Sequence, residues 1–326
     1  MKHLHIHIGW PKTGTSGLQS YWTRNADYLL SHGLAYYRSQ LDSIGSVARQ
    51  IARGDDMTTQ AEAFAAWTAR QEAGQVLISS EGLASTRMES FRQFVRPEAW
   101  DRISVLAYLR PQPEYLESWY KQTAKWGSKQ STRSMLVASS KPMRTSHYAS
   151  LLAPWEALCA EHRKGRVTVR IFDPGEMAGG DVIRDAMAVL GIPYRPDVEL
   201  ARSRQNVSPS AALIGMYLKL PKIDRLQQIN RRIVASGLPG VTGSADLFDR
   251  ETVAKIEGWF AAENEQLRAR YFPERPRLFR PSAPTPPPGA AEQAAFRDLL
   301  IETIREMRGE DVAAQARAAL HAAAQP

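Results

Sequence analysis

One cysteine, Cys159, stands in a chain of 326 residues, so no intrachain disulfide can form. A chain of this length buries a sizeable core without disulfides or a structural metal, and a lone thiol fits a reducing compartment. No stretch approaches the roughly 20 consecutive apolar residues that a membrane span requires. The opening Met1-Lys2-His3-Leu4-His5-Ile6-His7 is too short and too polar for the apolar core of a signal peptide. These absences predict a cytoplasmic protein. Acid is also scarce: 34 Asp and Glu face 42 Lys and Arg, a net charge of +8. That balance favours anionic partners without choosing among nucleotide, nucleic acid, acidic glycan and lipid headgroup. No acidic residue lies between Glu117 and Glu156, where Lys121, Lys125, Lys129, Arg133, Lys141 and Arg144 follow one another. Trp119, Tyr120 and Trp126 are interleaved with the first of them, which suits an anionic or glycan acceptor or a solvated cationic face.

What the chain does contain is alternation. Leu4-His5-Ile6-His7-Ile8 reads as a short strand that meets Gly9, and Leu18, Tyr21, Trp22 and Leu29 then recur at helical spacing. Apolar runs of strand length follow at 76–80, 103–109 and 167–172. Helical patterns separate them, among them Tyr148 to His162 and Val182 to Leu190 with Gly191 as its stop. The predicted fold class is therefore α/β, a parallel sheet flanked by helices on both faces. From Ser208 to about Arg270 the pattern is mostly helical, broken around Gly237-Leu238-Pro239-Gly240. A Pro-rich stretch, 281–289, is extended by composition. After it, Phe296, Leu299, Leu300, Ile304 and Met307 form one face of an amphipathic helix, and an Ala-rich stretch closes the chain.

Gly9-Trp10-Pro11-Lys12-Thr13-Gly14-Thr15-Ser16 sits between the first strand and the first helix. Glycines let successive N–H groups converge on one anion, and the helix N-terminus adds partial positive charge. Thr13, Thr15 and Ser16 supply hydroxyls, and Lys12 an ammonium. Against the nucleotide triphosphatase loop, Gly-x4-Gly-Lys-Ser/Thr, the two glycines and the final hydroxyl match. The lysine slot, however, holds Thr15, and the lysine has moved forward to Lys12. A donor with one phosphate and a terminal sulfuryl group is shorter and less charged than a triphosphate. It suits an earlier lysine and makes no obvious demand for magnesium.

Arg110 ends the third apolar run and Ser118 lies eight residues on, two turns into the next helical pattern. In a doubly wound sheet such strand ends surround the ligand crevice, where a guanidinium and a hydroxyl can grip one phosphate. Glu81 follows the second apolar run directly and is a candidate general base, with partial burial expected to raise its pKa; local capping or pairing is the other reading. His3, His5 and His7 alternate on one strand face, but no cysteine or evident carboxylate joins them as a metal site needs. Packing and hydrogen bonding are their expected roles, with His7 near enough to the loop to touch ligand.

The segment His7 to Ser16 resembles the 5′-phosphosulfate loop of the sulfotransferases that use 3′-phosphoadenosine-5′-phosphosulfate (PAPS). Leu109-Arg110 through Ser118-Trp119-Tyr120 resembles that family's 3′-phosphate motif. Tyr148-Ala149-Ser150-Leu151-Leu152 with Trp155, and Asn264-Glu265-Gln266-Leu267 ahead of Tyr271-Phe272-Pro273, are similar to bacterial members. The likeness runs from Met1 to about Pro273. It implies the P-loop-type three-layer fold and PAPS as donor, with no metal. Lys12 would contact the transferring sulfuryl group. Pro11 would lie in the same loop, Thr13, Gly14, Thr15 and Ser16 would hold the 5′-phosphate, and Arg110 and Ser118 the 3′-phosphate. Carbohydrate sulfotransferases commonly use a glutamate base, which Glu81 matches, whereas cytosolic members place a histidine after the corresponding strand. The chain departs from the family pattern at Trp10 and at Pro111-Gln112-Pro113. The late glycine-rich 3′-phosphate loop is not recognisable, and Arg202-Ser203-Arg204-Gln205-Asn206 is its nearest substitute.

The expected organisation is a sulfotransferase-like domain over 1–280, a linker over 281–289 and a helical tail over 290–326, the tail packing on the main domain or on a second subunit as a homodimer. The expected activity is sulfuryl transfer from PAPS to a hydroxyl or amine acceptor such as a carbohydrate, glycolipid or small alcohol, with no nucleic-acid partner. A P-loop kinase and a non-catalytic nucleotide- or polyanion-binding protein are the alternatives. The displaced lysine, and the want of a convincing magnesium-binding Asp at a strand end, weigh against the kinase.

Overall fold

The computed structural model describes residues 2–38, 41, 43–127, 131–196, 209–239, 241, 247–281 and 289–322. Its centre is a five-stranded, all-parallel sheet built from β1 (His3–Ile8), β2 (Leu34–Tyr36), β3 (Gln75–Ser80), β4 (Arg102–Leu109) and β5 (Arg166–Ile171), in the order β2-β3-β1-β4-β5. The fold class is α/β. Four strands coincide with the four apolar runs. β2, only three residues long, carries no run of its own and exists because it pairs with β3 in the register Ala35 to Val76.

Every strand connection is a crossover, so helices cover both faces. The helices of this part are α1 (Thr15–Arg24), α2 (Ala26–Ser31), α3 (Ile44–Arg53), α4 (Thr58–Ala69) and α5 (Met88–Val95). On the face carrying His7, Leu77, Leu106 and Tyr108, the core is completed by Leu18, Tyr21 and Trp22 of α1. The opposite face presents Leu4, Ile6 and Ile8, all fully buried.

The compact units are interleaved along the chain. The first comprises Met1–Pro111, His147–Ala201 and Ala261–Phe279, and the second Gln112–Ser146, Arg202–Phe260 and Arg280–Pro326. This division differs from a linear one at 280 and 290, because the partners of the last helices lie far back in the sequence. Within the second unit, α6 (Gln112–Lys125) precedes two short helices, α7 (Thr132–Met135) and α8 (Lys141–Arg144). The first unit continues with α9 (Tyr148–Ala160) and α10 (Val182–Leu190). Asp181 caps α10 by accepting from the Ile183 and Arg184 amides, and Gly191 ends it at φ 72°. Then follow α11 (Ala211–Lys219), α12 (Leu226–Ala235), α13 (Arg250–Tyr271), α14 (Ala290–Arg308) and α15 (Glu310–Ala322).

The face expected of the C-terminal helix is buried at Phe296, Leu300 and Ile304 of α14. It packs with Leu213, Ile229, Ile233 and Ala316 in the core of the second unit. The Ala-rich stretch is α15. Residues 282–288 of the Pro-rich segment, Arg202 to Asn206 and Lys129 lie outside the described residues. Among the described residues, no helix is long and apolar enough to cross a membrane.

Candidate functional site

β1 lies between β3 and β4, so the chain moves outward to one side of it and later to the other. Such a switch point opens a crevice at the carboxyl ends of the strands. The loop after β1 stands there, and its shape follows from three contacts. Gly9 donates its N–H to the Ser80 carbonyl at 3.1 Å, prolonging the ladder to β3 by one residue. Trp10 turns inward and is fully buried, edge-on to Tyr148 at 5.3 Å. The hydroxyls of Thr13 and Thr15 both donate to the Trp10 carbonyl, at 2.7 and 3.2 Å.

That last arrangement corrects an expectation. Thr13 and Thr15 are buried, and their hydroxyl protons hold the loop's own shape rather than projecting as anion donors. Ser16 is the exposed hydroxyl of the loop. The cap of α1 is Gly14, at φ 76° and without a side-chain capping bond. The first turn holds no acidic residue, so the positive end of the helix dipole keeps its affinity for an anion.

Lys12 has φ 70°, in the left-handed region that L side chains rarely adopt. A non-glycine residue there costs about 1–2 kcal/mol. Strain of this kind persists where its surroundings over-determine it, often at functional sites. Here the strained peptide presents the Lys12 carbonyl to the Arg110 guanidinium, whose Nη1 donates at 3.4 Å. Arg110 is the first residue after β4, and its own carbonyl accepts from the Tyr148 hydroxyl at 2.8 Å. Lys12 and Arg110, 98 residues apart, therefore meet in one crevice of the first unit.

Gly9 is required by close approach. A Cβ built on it would lie 2.5 Å from Thr15 Cγ2 and 2.7 Å from Thr15 Oγ1. Thr15 is buried and hydrogen-bonded, so it cannot swing away cheaply. Gly9→Ala is expected to destabilise the protein by about 1–3 kcal/mol through overpacking. Urea unfolding checks it, and a variant as stable as wild type would show that the loop yields.

Glu81 also falls at the crevice side of the sheet, immediately after β3, but it is exposed rather than partly buried. The reason is local. The Ser80 side chain accepts the Gly82 N–H at 3.2 Å and starts a single 3-10 turn, and Leu83 and Ala84 take the inward positions. Ser118 lies partly buried on α6, in the second unit.

No protein-family model matches the chain. It is similar to an uncharacterized protein of Archaeoglobus fulgidus, 28% identical over 207 residues that cover 60% of this chain and 54% of that protein. The chain thus spans about half the length of that relative.

Two residues of the crevice were legible in the sequence only as parts of larger patterns, Phe172 as the end of an apolar run and Tyr148 within a motif. Phe172, just past β5, lies under the Arg110 guanidinium at 5.9 Å from its ring centre and within 3.1 Å of where a Cβ on Gly14 would be. Tyr148 was noticed as part of a motif, but its bond to the Arg110 carbonyl belongs to tertiary structure. Behind them, buried Asp185 accepts from the Tyr108 hydroxyl at 2.7 Å, Arg170 Nε at 2.8 Å and the Ala178 N–H at 3.0 Å. Burial alone would raise the Asp185 pKa, yet these donors hold it below the ordinary carboxylate value.

The three histidines of β1 are hydrogen-bonded packing residues. His3 meets Ser104 at 2.8 Å, His5 meets Gln75 at 2.7 Å, and His7 Nδ1 meets Ser79 Oγ at 2.8 Å. His7 is wholly enclosed, with Trp22 and Tyr108 edge-on to it. Burial lowers the pKa of His3 to about 3, of His5 to about 4 and of His7 to about 3. In the basic stretch of the second unit several cations are already committed. Lys121 pairs with Glu117 at 2.5 Å, Lys141 lies over the Trp119 ring at 5.7 Å, and Arg144 donates to the Ser139 carbonyl. Trp126 is 54% exposed.

Proposed function

We propose that this protein transfers a sulfuryl group from PAPS to a hydroxyl or amine acceptor, a carbohydrate, glycolipid or small alcohol being the expected class. The observation that carries the reading is the meeting of the Arg110 guanidinium with the Lys12 peptide beside the uncapped N-terminus of α1. One cationic crevice then serves a nucleotide with phosphates at two positions. The loop's N–H groups, Ser16 and the helix dipole hold the 5′-phosphate, and Arg110 takes the 3′-phosphate by a charge-assisted bond.

In the reaction the acceptor oxygen attacks sulfur as the bond from sulfur to the 5′-phosphate oxygen breaks. The acceptor proton passes to Glu81, and adenosine 3′,5′-bisphosphate leaves with its new charge beside the Lys12 ammonium. An ammonium aimed at charge that appears only in the transition state lowers the barrier. Glu81 is exposed at the end of β3, where an acceptor arriving from solvent meets it.

Calorimetric titration with adenosine 3′,5′-bisphosphate, with magnesium and with a chelator, tests the reading. Equal affinity in both buffers is expected, together with PAPS turnover when hydroxyl acceptors are screened. Absence of bisphosphate binding alongside magnesium-dependent ATP turnover would replace sulfuryl transfer by kinase chemistry.

A further inference from the structure

β3 runs further than its outer neighbour. β2 ends at Tyr36, and among the described residues the last bond between the two is from the Tyr37 N–H to the Leu77 carbonyl, at 2.9 Å. Backbone groups of a strand point alternately to its two neighbours. The Ser80 carbonyl turns to β1, where it accepts from Gly9. The Ser79 carbonyl, sharing parity with Leu77, turns to the side where β2 has already stopped. An unmade bond on a buried carbonyl is costly, and Ser79 is fully buried. Among the described residues, its donor is Gln19, in the second turn of α1. Its Nε2 reaches the Ser79 carbonyl at 3.1 Å and Ser79 Oγ at 3.3 Å. His7, the register partner of Ser79 in β1, bonds the same hydroxyl from the other side.

We propose that Gln19 is a positioning residue that latches α1, and with it the phosphate loop, to the end of β3, and so sets the distance between bound donor and Glu81. Glu81 is two residues beyond the latched carbonyl and Gly9 two beyond His7. The latch therefore sits one step behind both reacting partners and touches neither. It rests on the sulfuryl-transfer reading for what Glu81 does, but not for the mechanical coupling.

The coupling has a consequence for kinetics. Without the Gln19 amide, the loop keeps its own internal bonds from Thr13 and Thr15, so donor affinity persists. The Ser79–Glu81 segment loses its anchor to the helix, and misplacement on the ångström scale costs rate.

Gln19→Met and Gln19→Glu, both close to Gln in length and neither able to donate as an ionised or apolar group, are compared with Ser79→Ala, which keeps the carbonyl. Three readouts are taken: bisphosphate affinity, the kcat and KM of PAPS breakdown with water as acceptor, and amide hydrogen exchange of the ligand-free protein. Both Gln19 variants are expected to lose about tenfold in kcat with bisphosphate Kd and PAPS KM within about twofold of wild type. Exchange at the Gly9 and Gly82 amides should quicken about tenfold, and Ser79→Ala should lose less on every count. Unchanged exchange at those two amides, or a Kd that weakens in step with kcat, overturns the latch. If wild type neither binds bisphosphate nor consumes PAPS, the sulfuryl-transfer reading fails, while the exchange measurement still decides whether Gln19 holds the strand end.

Discussion

Urea unfolding between pH 7 and pH 4.5 is expected to show a steep loss of stability that begins near pH 6.5. His5 and His7 are the cause. Burial lowers their folded pKa values to about 4 and about 3, from an ordinary value of 6.5. Above pH 6.5 both are neutral in the folded and unfolded chain, and their linkage contributes no pH dependence. Below it the unfolded chain takes up protons that the folded chain refuses, so stability falls until the folded pKa is reached. Each histidine contributes a slope of about 1.4 kcal/mol per pH unit. Over two units the pair removes about 5 kcal/mol, comparable with the whole stability of a typical domain. His3, also lowered but only half-buried, adds a smaller share because solvent screens it. Asp185, held below its ordinary value of 3.8, withdraws its contribution only at pH values below the histidine window. His7→Asn should reduce the slope between pH 6 and pH 4.5 by about 1.4 kcal/mol per unit, whatever it costs at neutral pH. An unaltered slope would show that His7 is protonated in the native state.

Under the proposed sulfuryl transfer, replacing Lys12 is expected to give the largest kinetic effect. Lys12→Ala should slow PAPS turnover by about 10²–10³-fold, the usual cost of deleting one group aimed at transition-state charge. Bisphosphate binding should weaken far less, because the loop N–H groups and Arg110 remain. The backbone offers a control. Lys12 is held at φ 70°, so Lys12→Gly relieves strain that Lys12→Ala retains. If the ammonium is what matters, both variants are equally slow, and the glycine variant is the more stable by about 1 kcal/mol. A fast Lys12→Gly enzyme would assign the effect to the backbone and remove Lys12 from the chemistry. Stopped turnover assays with PAPS, paired with urea unfolding of each variant, separate the two.

Much of this architecture could be read along the chain, for identifiable reasons. Apolar runs as long as β3 and β4 have to be buried on both faces, and a strand, a glycine-rich loop and an amphipathic helix in succession place a tight turn at the carboxyl end of β1. Gly191 stops α10 at a positive φ, as its place after the last apolar residue implied. Such features depend on neighbours a few residues apart, and the sequence by itself determined them. β2 was illegible because three residues, Leu34 to Tyr36, become a strand only when β3 is present to pair with them.

The tertiary structure alone decided where the polar groups go. Thr13 and Thr15 could serve a ligand or the loop, and the inward turn of Trp10 brought its carbonyl within their reach. Glu81 stayed in solvent because Ser80 capped the turn and Leu83 claimed the interior. The bond from Arg110 to the Lys12 carbonyl spans 98 residues, and the burial of α14 among helices more than 50 residues earlier in the chain has the same origin. Local pattern specifies which residues must be buried, but hydrogen-bond direction and long-range pairing depend on which distant group arrives opposite, and only the folded chain contains that information.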